Sequence, residues 1–201
     1  MISLLDWIVT VALVAATWQI NAAALQRQAR AETQHLAGKP AAGPESPVAP
    51  DSLHTMLQHI ERKGGFTDLP AFIAGAGIAY ERIAAAFASG QLDEVSSLLA
   101  PAVRNVFSQA IAARRAQGHV VSMTFVGLAA ADPVDAGLDA GTAWIEMRFL
   151  AQMVCVTTDS QHRIVDGHPS RTIDISERWT FVRELNSNDP NWTLVATDED
   201  A

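Results

Sequence analysis

Two charged residues stand where an apolar face is expected. From Ile173 to Arg183 the odd positions read Ile173, Ile175, Glu177, Trp179, Phe181 and Arg183, and residues two apart share one face of a strand. A carboxylate on a core face needs a partner or a shifted pKa, which makes Glu177 the candidate general base of a pocket. The plainer reading has the strand bend, so that both charges sit at its rims or in ion pairs, Arg183 with an acidic residue of the last hairpin. No second acid, base or oxyanion donor accompanies Glu177 in the sequence, and one ionisable group alone makes a poor active site. A structural role is the expectation.

The remaining chemistry-bearing residues are weaker. Ala74-Gly75-Ala76-Gly77 holds a GxG with no strand before it and no Lys-Ser/Thr after it, so it is read as close helix packing rather than a phosphate loop. His54 and His59 are five apart and share no helical face. Asp159, Asp166 and Asp174 lack calcium-loop spacing. The single cysteine, Cys155, excludes an intrachain disulfide and falls on an apolar face, where a thiol is a poor nucleophile. The expectation is no catalytic residue, no cofactor and no metal.

Charge narrows the partners. The chain carries a net −8, all of it after residue 65, and an acidic domain lacks the basic footprint that nucleic acid demands. Arg104, Arg114 and Arg115 form the one basic cluster of that part. Arg114 and Arg115 near a helix C-terminus suit the helix dipole without any ligand; with Arg62 and Lys63 they are also candidate contacts to an anionic leaflet or a partner.

These residues must be positioned by elements that the pattern reveals. Ile2–Ile20 is an apolar run interrupted by Asp6, hydroxyl residues and Gln19, long enough as a helix to cross a bilayer core. Trp7 and Trp18 lie near its ends, and Arg27, Arg30 and Lys39 follow, which orients the body toward the cytoplasm. Residues 1–24 are therefore expected as a transmembrane anchor, with a cleaved signal at Ala22-Ala23-Ala24 as the competing reading. Residues 25–52 are expected as a Pro/Ala-rich linker. Across 53–65, Leu53, Met56, Leu57 and Ile60 form an apolar stripe on a short helix capped by Ser52, ended by Gly64-Gly65. The stripe either docks on its own domain or rests on the membrane. Longer helical patterns run from Pro70 to Ser89 and from Pro101 to Gly118, with a short helix at Leu92–Leu99 between them. Beyond Gly118 the period becomes two, and His119–Leu128, Ala143–Val156, Thr172–Leu185 and Trp192–Thr197 read as strands. Helices followed by a meander are the order of an α+β domain over 66–201.

Tyr80-x-x-Ile83-x-x-Ala86-Phe87-x-x-Gly90, then Leu98-Leu99, Phe107 and Gly118, and finally Trp179-Thr180-Phe181-x-Arg183 with Asp189-Pro190-x-Trp192-x-Leu194-x-Ala196-Thr197, resemble the Tim44-like domain family. That family includes the mitochondrial import-motor adaptor, a mitoribosome-associated membrane anchor and short bacterial proteins with an N-terminal membrane segment. The resemblance implies a cone-shaped domain similar to nuclear transport factor two, with helices on a curved antiparallel four-stranded sheet. Tyr80, Phe87, Gly90, Trp179, Phe181, Arg183, Pro190 and Trp192 are its structural motif residues. It implies no catalytic activity and association with the inner membrane; with the orientation read from Arg27, Arg30 and Lys39, the expected place is the bacterial inner membrane, single-pass, with the C-terminal domain in the cytoplasm. The expected function is an adaptor or assembly factor binding protein or apolar peptide, in membrane-protein biogenesis or translocation. A small-molecule-binding or enzymatic domain of the same cone fold is the alternative.

Overall fold

Asp68 opens the longest helix by accepting the Ala71 N–H at 2.8 Å, and Gly90 closes it in the left-handed region at φ 76°, its N–H returned to the Ala86 carbonyl. This computed structural model describes residues 50–200. The expected anchor at 1–24, and the linker up to residue 49, lie outside the described residues. Four helical segments precede the strands among those described: α1 (Pro50–Arg62), α2 (Leu69–Ser89), a 3-10 helix (Leu92–Leu98) and α3 (Pro101–Ala116). Helix α1 starts earlier than its apolar stripe suggested, so Ser52 sits in its first turn rather than at its cap.

Helix α2 is long and apolar enough to cross a membrane by length and composition. Its stripe of Phe72, Ala76, Tyr80, Ile83 and Ala86 is buried in the domain core. Val103, Phe107 and Ile111 are the buried side of α3.

The strands are β1 (Val120–Asp139), β2 (Thr142–Thr158), β3 (Ile164–Gly167), β4 (Ile173–Glu184) and β5 (Thr193–Glu199). Among the described residues they form one antiparallel sheet in the order β1-β2-β4-β5, with β3 also paired to β2. The α+β class and curved sheet stand, but the expected count of four strands is corrected to five. The added strand lies in the connection between β2 and β4, where Gly167 pairs with Val156 and Asp166 with Thr157. Strand β1 runs on past Leu128 to Asp139. Its second half escaped detection because register shifts at Phe125/Gly127, Leu128/Ala130 and Pro133/Asp135 break the period of two, and Pro133 is tolerated on an edge strand beside such a shift.

Strand β2 carries the core face as its alternation requires: Ile145, Met147, Phe149, Ala151 and Met153 are buried. Trp179 and Phe181 of β4 and Leu194 of β5 continue that face, and the helices close over it.

Candidate functional site

The two anomalous charges have different fates. Glu177 is 6% exposed and accepts the Tyr80 hydroxyl at 2.8 Å, a buried bond from α2 to β4. The Tyr80 ring lies 4.5 Å from Trp179 and 4.7 Å from Phe149, centroid to centroid, so the carboxyl is walled by aromatic carbon. Burial pushes Glu177 up to about 7, against the opposing effect of the Tyr80 hydrogen bond and the nearby Trp179 indole; Glu199 across the strand pair adds a like charge. The Trp179 N–H eases the charge by proximity, since it meets no described group in hydrogen-bonding geometry. Tyr80 is itself held far above the usual phenol range, first by burial and then by Glu177. Cys155, half-buried, is raised by burial and by Asp166.

Arg183 has no acidic partner in the last hairpin, which corrects the expected ion pair. Its Nη1 donates to the Gly65 carbonyl at 2.5 Å, and Trp192 Nε1 donates to the same oxygen at 3.1 Å. The turn after α1 is thereby clipped to β4 and to the segment leading into β5. Gly64 makes that turn at φ 81°, and the Gly65 N–H returns to the Ile60 carbonyl.

The candidate contacts of α1 are mostly inside. Leu57 and Ile60 are core residues, and Leu53 and Met56 pack partly against them. As a free membrane or partner face this stripe is therefore corrected: an apolar stripe beside a sheet buries itself there before it can serve an external surface. Arg62 and Lys63 are exposed at the end of α1. Arg114 is not a free cation, since it donates to the Phe87 and Ala88 carbonyls at 2.7 and 2.5 Å and lies over the Phe87 ring. Arg115 reaches the Gly90 carbonyl at 3.2 Å. Both therefore cap the end of α2, as cations do at orphan helix carbonyls. Arg104 pairs with Asp93 at 2.6 Å.

The motif residues fall into place around these contacts. Phe87 packs on Phe107 at 4.9 Å, and Trp192 meets Phe72 at 5.0 Å. Pro190 is exposed in the β4–β5 turn, where Asp189 accepts the Asn191 N–H at 2.9 Å. Among the described residues, no group of three His, Cys, Asp or Glu could hold a metal ion. A groove of about 530 Å³ opens elsewhere, walled by Arg82 and Ala85 of α2, Glu94 and Val95 of the 3-10 helix, and Val121 and Met123 of β1. Glu177 and Tyr80 are not among its walls. Sequence reasoning missed this groove, because it forms only where the end of α2 and the 3-10 helix meet the start of β1.

A family model described as the Tim44-like domain matches residues 54–199. The chain belongs to the Tim44-like domain family. The match begins inside α1 and ends at the last residue of β5, so the Tyr80–Glu177 bond and the Gly65 clip both lie inside the Tim44-like domain. Among solved structures, the intermembrane space region of the chloroplast protein ARC6 is similar, at 13% identity and a TM-score of 0.45, covering 72% of this chain and 96% of that one. A likeness that distant carries no functional argument. No curated protein matches the chain.

Proposed function

We propose that this Tim44-like domain is a non-enzymatic module that binds protein or apolar peptide at a membrane, as an adaptor or assembly factor in membrane-protein biogenesis or translocation. The observation that carries the reading is the family match over 54–199. The apolar run Ile2–Ile20, followed by Arg27 and Arg30, supports a single-pass anchor in a bacterial inner membrane with the domain in the cytoplasm. The helices over a curved sheet support the cone-like architecture shared with nuclear transport factor two. Crosslinking in native membranes with mass spectrometry tests the proposal, and a reproducible protein crosslinked to the domain is the expected result.

One observation favours a second reading. A buried carboxyl titrating at about 7 beside a phenol is the pairing that general acid–base chemistry uses, and it supports a small-molecule or enzymatic site of the same fold. The first reading is preferred because the Tyr80 hydroxyl and the aromatic rings already occupy the carboxyl's surroundings.

A further inference from the structure

Strand β1 is the edge of the sheet: it pairs with β2 on one side and with no described residue on the other. In an antiparallel pair, alternate residues turn both N–H and C=O away from the partner strand, so this edge presents a row of unmade backbone hydrogen bonds. Native proteins blunt such edges with charge, proline, bulges or cover, because a bare edge templates strand addition. The two halves of β1 differ in this respect. From Gly127 to Asp139 the strand carries Asp132, Pro133 and Asp135 and is broken by register shifts. From Val120 to Phe125 pairing with β2 is uninterrupted, and the stretch holds no charge, proline or glycine. Val120 is 63% exposed and Val126, just past its other end, 55%.

The other edges among the described residues are managed. Strand β5 is met at Leu194 by a parallel bridge from Leu99, with the Ala100 N–H donating to the Leu194 carbonyl at 2.9 Å, and it ends in acidic residues. Strand β3 is four residues long.

The groove of about 530 Å³ runs beside this bare stretch. A strand added to β1 would aim every second side chain to the face where Met123 lies, at a spacing of about 6.8 Å, into a groove walled by Ala85, Ala86, Val95 and Met123. Arg82 and Glu94, both exposed and neither in an ion pair among the described residues, stand on two of its walls and select flanking charges of both signs.

We propose that the Val120–Phe125 edge and its groove take an extended, proline-free segment of a partner protein, which adds to the sheet as a strand and sets aliphatic side chains between α2, the 3-10 helix and β1. The proposal rests on the reading of the domain as a peptide- or protein-binding module and names where and in what form the partner binds. An extended backbone is the ligand that satisfies alternating N–H and C=O groups along an edge. A second copy of the chain fits less well, because the side chains it would bring to the groove, Met123 and Phe125, are already packed against their own core.

The test uses the full chain in detergent micelles and a fluorescein-labelled peptide of alternating valine and threonine, with a lysine at one end and a glutamate at the other. Binding is read by anisotropy and by amide hydrogen exchange. The peptide is expected to bind and to slow exchange of alternate amides in Val120–Phe125 at least ~10-fold at saturation. The same peptide N-methylated at alternate residues is expected not to bind. Thr124→Lys, at an exposed position on the opposite face of the sheet, and Ala85→Phe, which fills the groove, are each expected to weaken binding at least ~10-fold at unchanged Tm. The proposal is overturned by no anisotropy change up to about 1 mM peptide, by protection elsewhere than β1, by binding that survives both variants, or by a dimeric chain whose β1 amides are protected before peptide is added. Cellular crosslinks that persist through Thr124→Lys and Ala85→Phe would overturn the edge as the site and leave the adaptor reading standing; absence of any crosslinked protein would overturn the adaptor reading itself.

Discussion

Replacing Glu177 by Gln should make the domain more stable at neutral and alkaline pH, contrary to the usual result of removing a buried hydrogen-bonded charge. The carboxyl titrates near 4.5 in the unfolded chain and at about 7 when buried beside Tyr80. Between those values the folded form holds a proton that the unfolded form has lost, so stability falls as pH rises through this window. A difference of this size corresponds to about 3 kcal/mol, present in full below pH 4.5 and lost above pH 7. Glutamine keeps the shape and the acceptor for the Tyr80 hydroxyl but cannot ionise. Near pH 4.5 the variant should match the native chain or fall below it by about 1 kcal/mol, the ordinary value of one hydrogen bond. Near pH 8 the order should reverse, with glutamine ahead by about 2 kcal/mol. Urea denaturation followed by tryptophan fluorescence across this pH range measures both, and the difference between the two chains cancels every other titrating group. A difference that does not change with pH would refute the argument that burial governs this carboxyl.

Trp179→Ala should cost on the order of 3–5 kcal/mol, because the ring is 3% exposed among Tyr80, Phe149 and Phe181; an unchanged Tm in calorimetry would refute the packing described. Arg183→Ala should cost about 1–3 kcal/mol by removing one of two donors to the Gly65 carbonyl, and hydrogen exchange at Lys63–Phe66 should accelerate while the β2 core amides stay slow. In cell fractionation the full chain should resist alkaline and high-salt extraction and be released by deletion of residues 1–24; a mature chain beginning at Leu25 in the periplasm would contradict the anchor.

Much of the architecture was legible because burial imposes a period. The apolar odd positions from Ile145 to Cys155 mark β2 in the sequence, and the stops at Gly90 and Gly118 fell where the backbone turns left-handed. The second half of β1 was not legible, since bulges erase the alternation that sequence reading depends on. The candidate site was half legible: Glu177 stood out as a charge on an apolar face, but its partner lies 97 positions away on α2, and no local pattern links a tyrosine on a helix to a glutamate on a strand. Arg183 was equally visible, while its acceptor, a backbone carbonyl at Gly65, carries no side-chain signature. Arg114 and Arg115 looked like a surface cluster because sequence spacing does not show which helix end a long side chain will reach.

The most direct test of the adaptor account is the crosslinked protein captured by the Glu177→Gln chain in native membranes, compared with the native chain at a temperature where both are fully folded. If Glu177 holds α2 to the sheet and has no part in chemistry, the two should capture the same protein in equal amount and support the same biological activity. A Glu177→Gln chain that folds and captures normally yet loses activity would contradict the account and make the buried carboxyl a catalytic group.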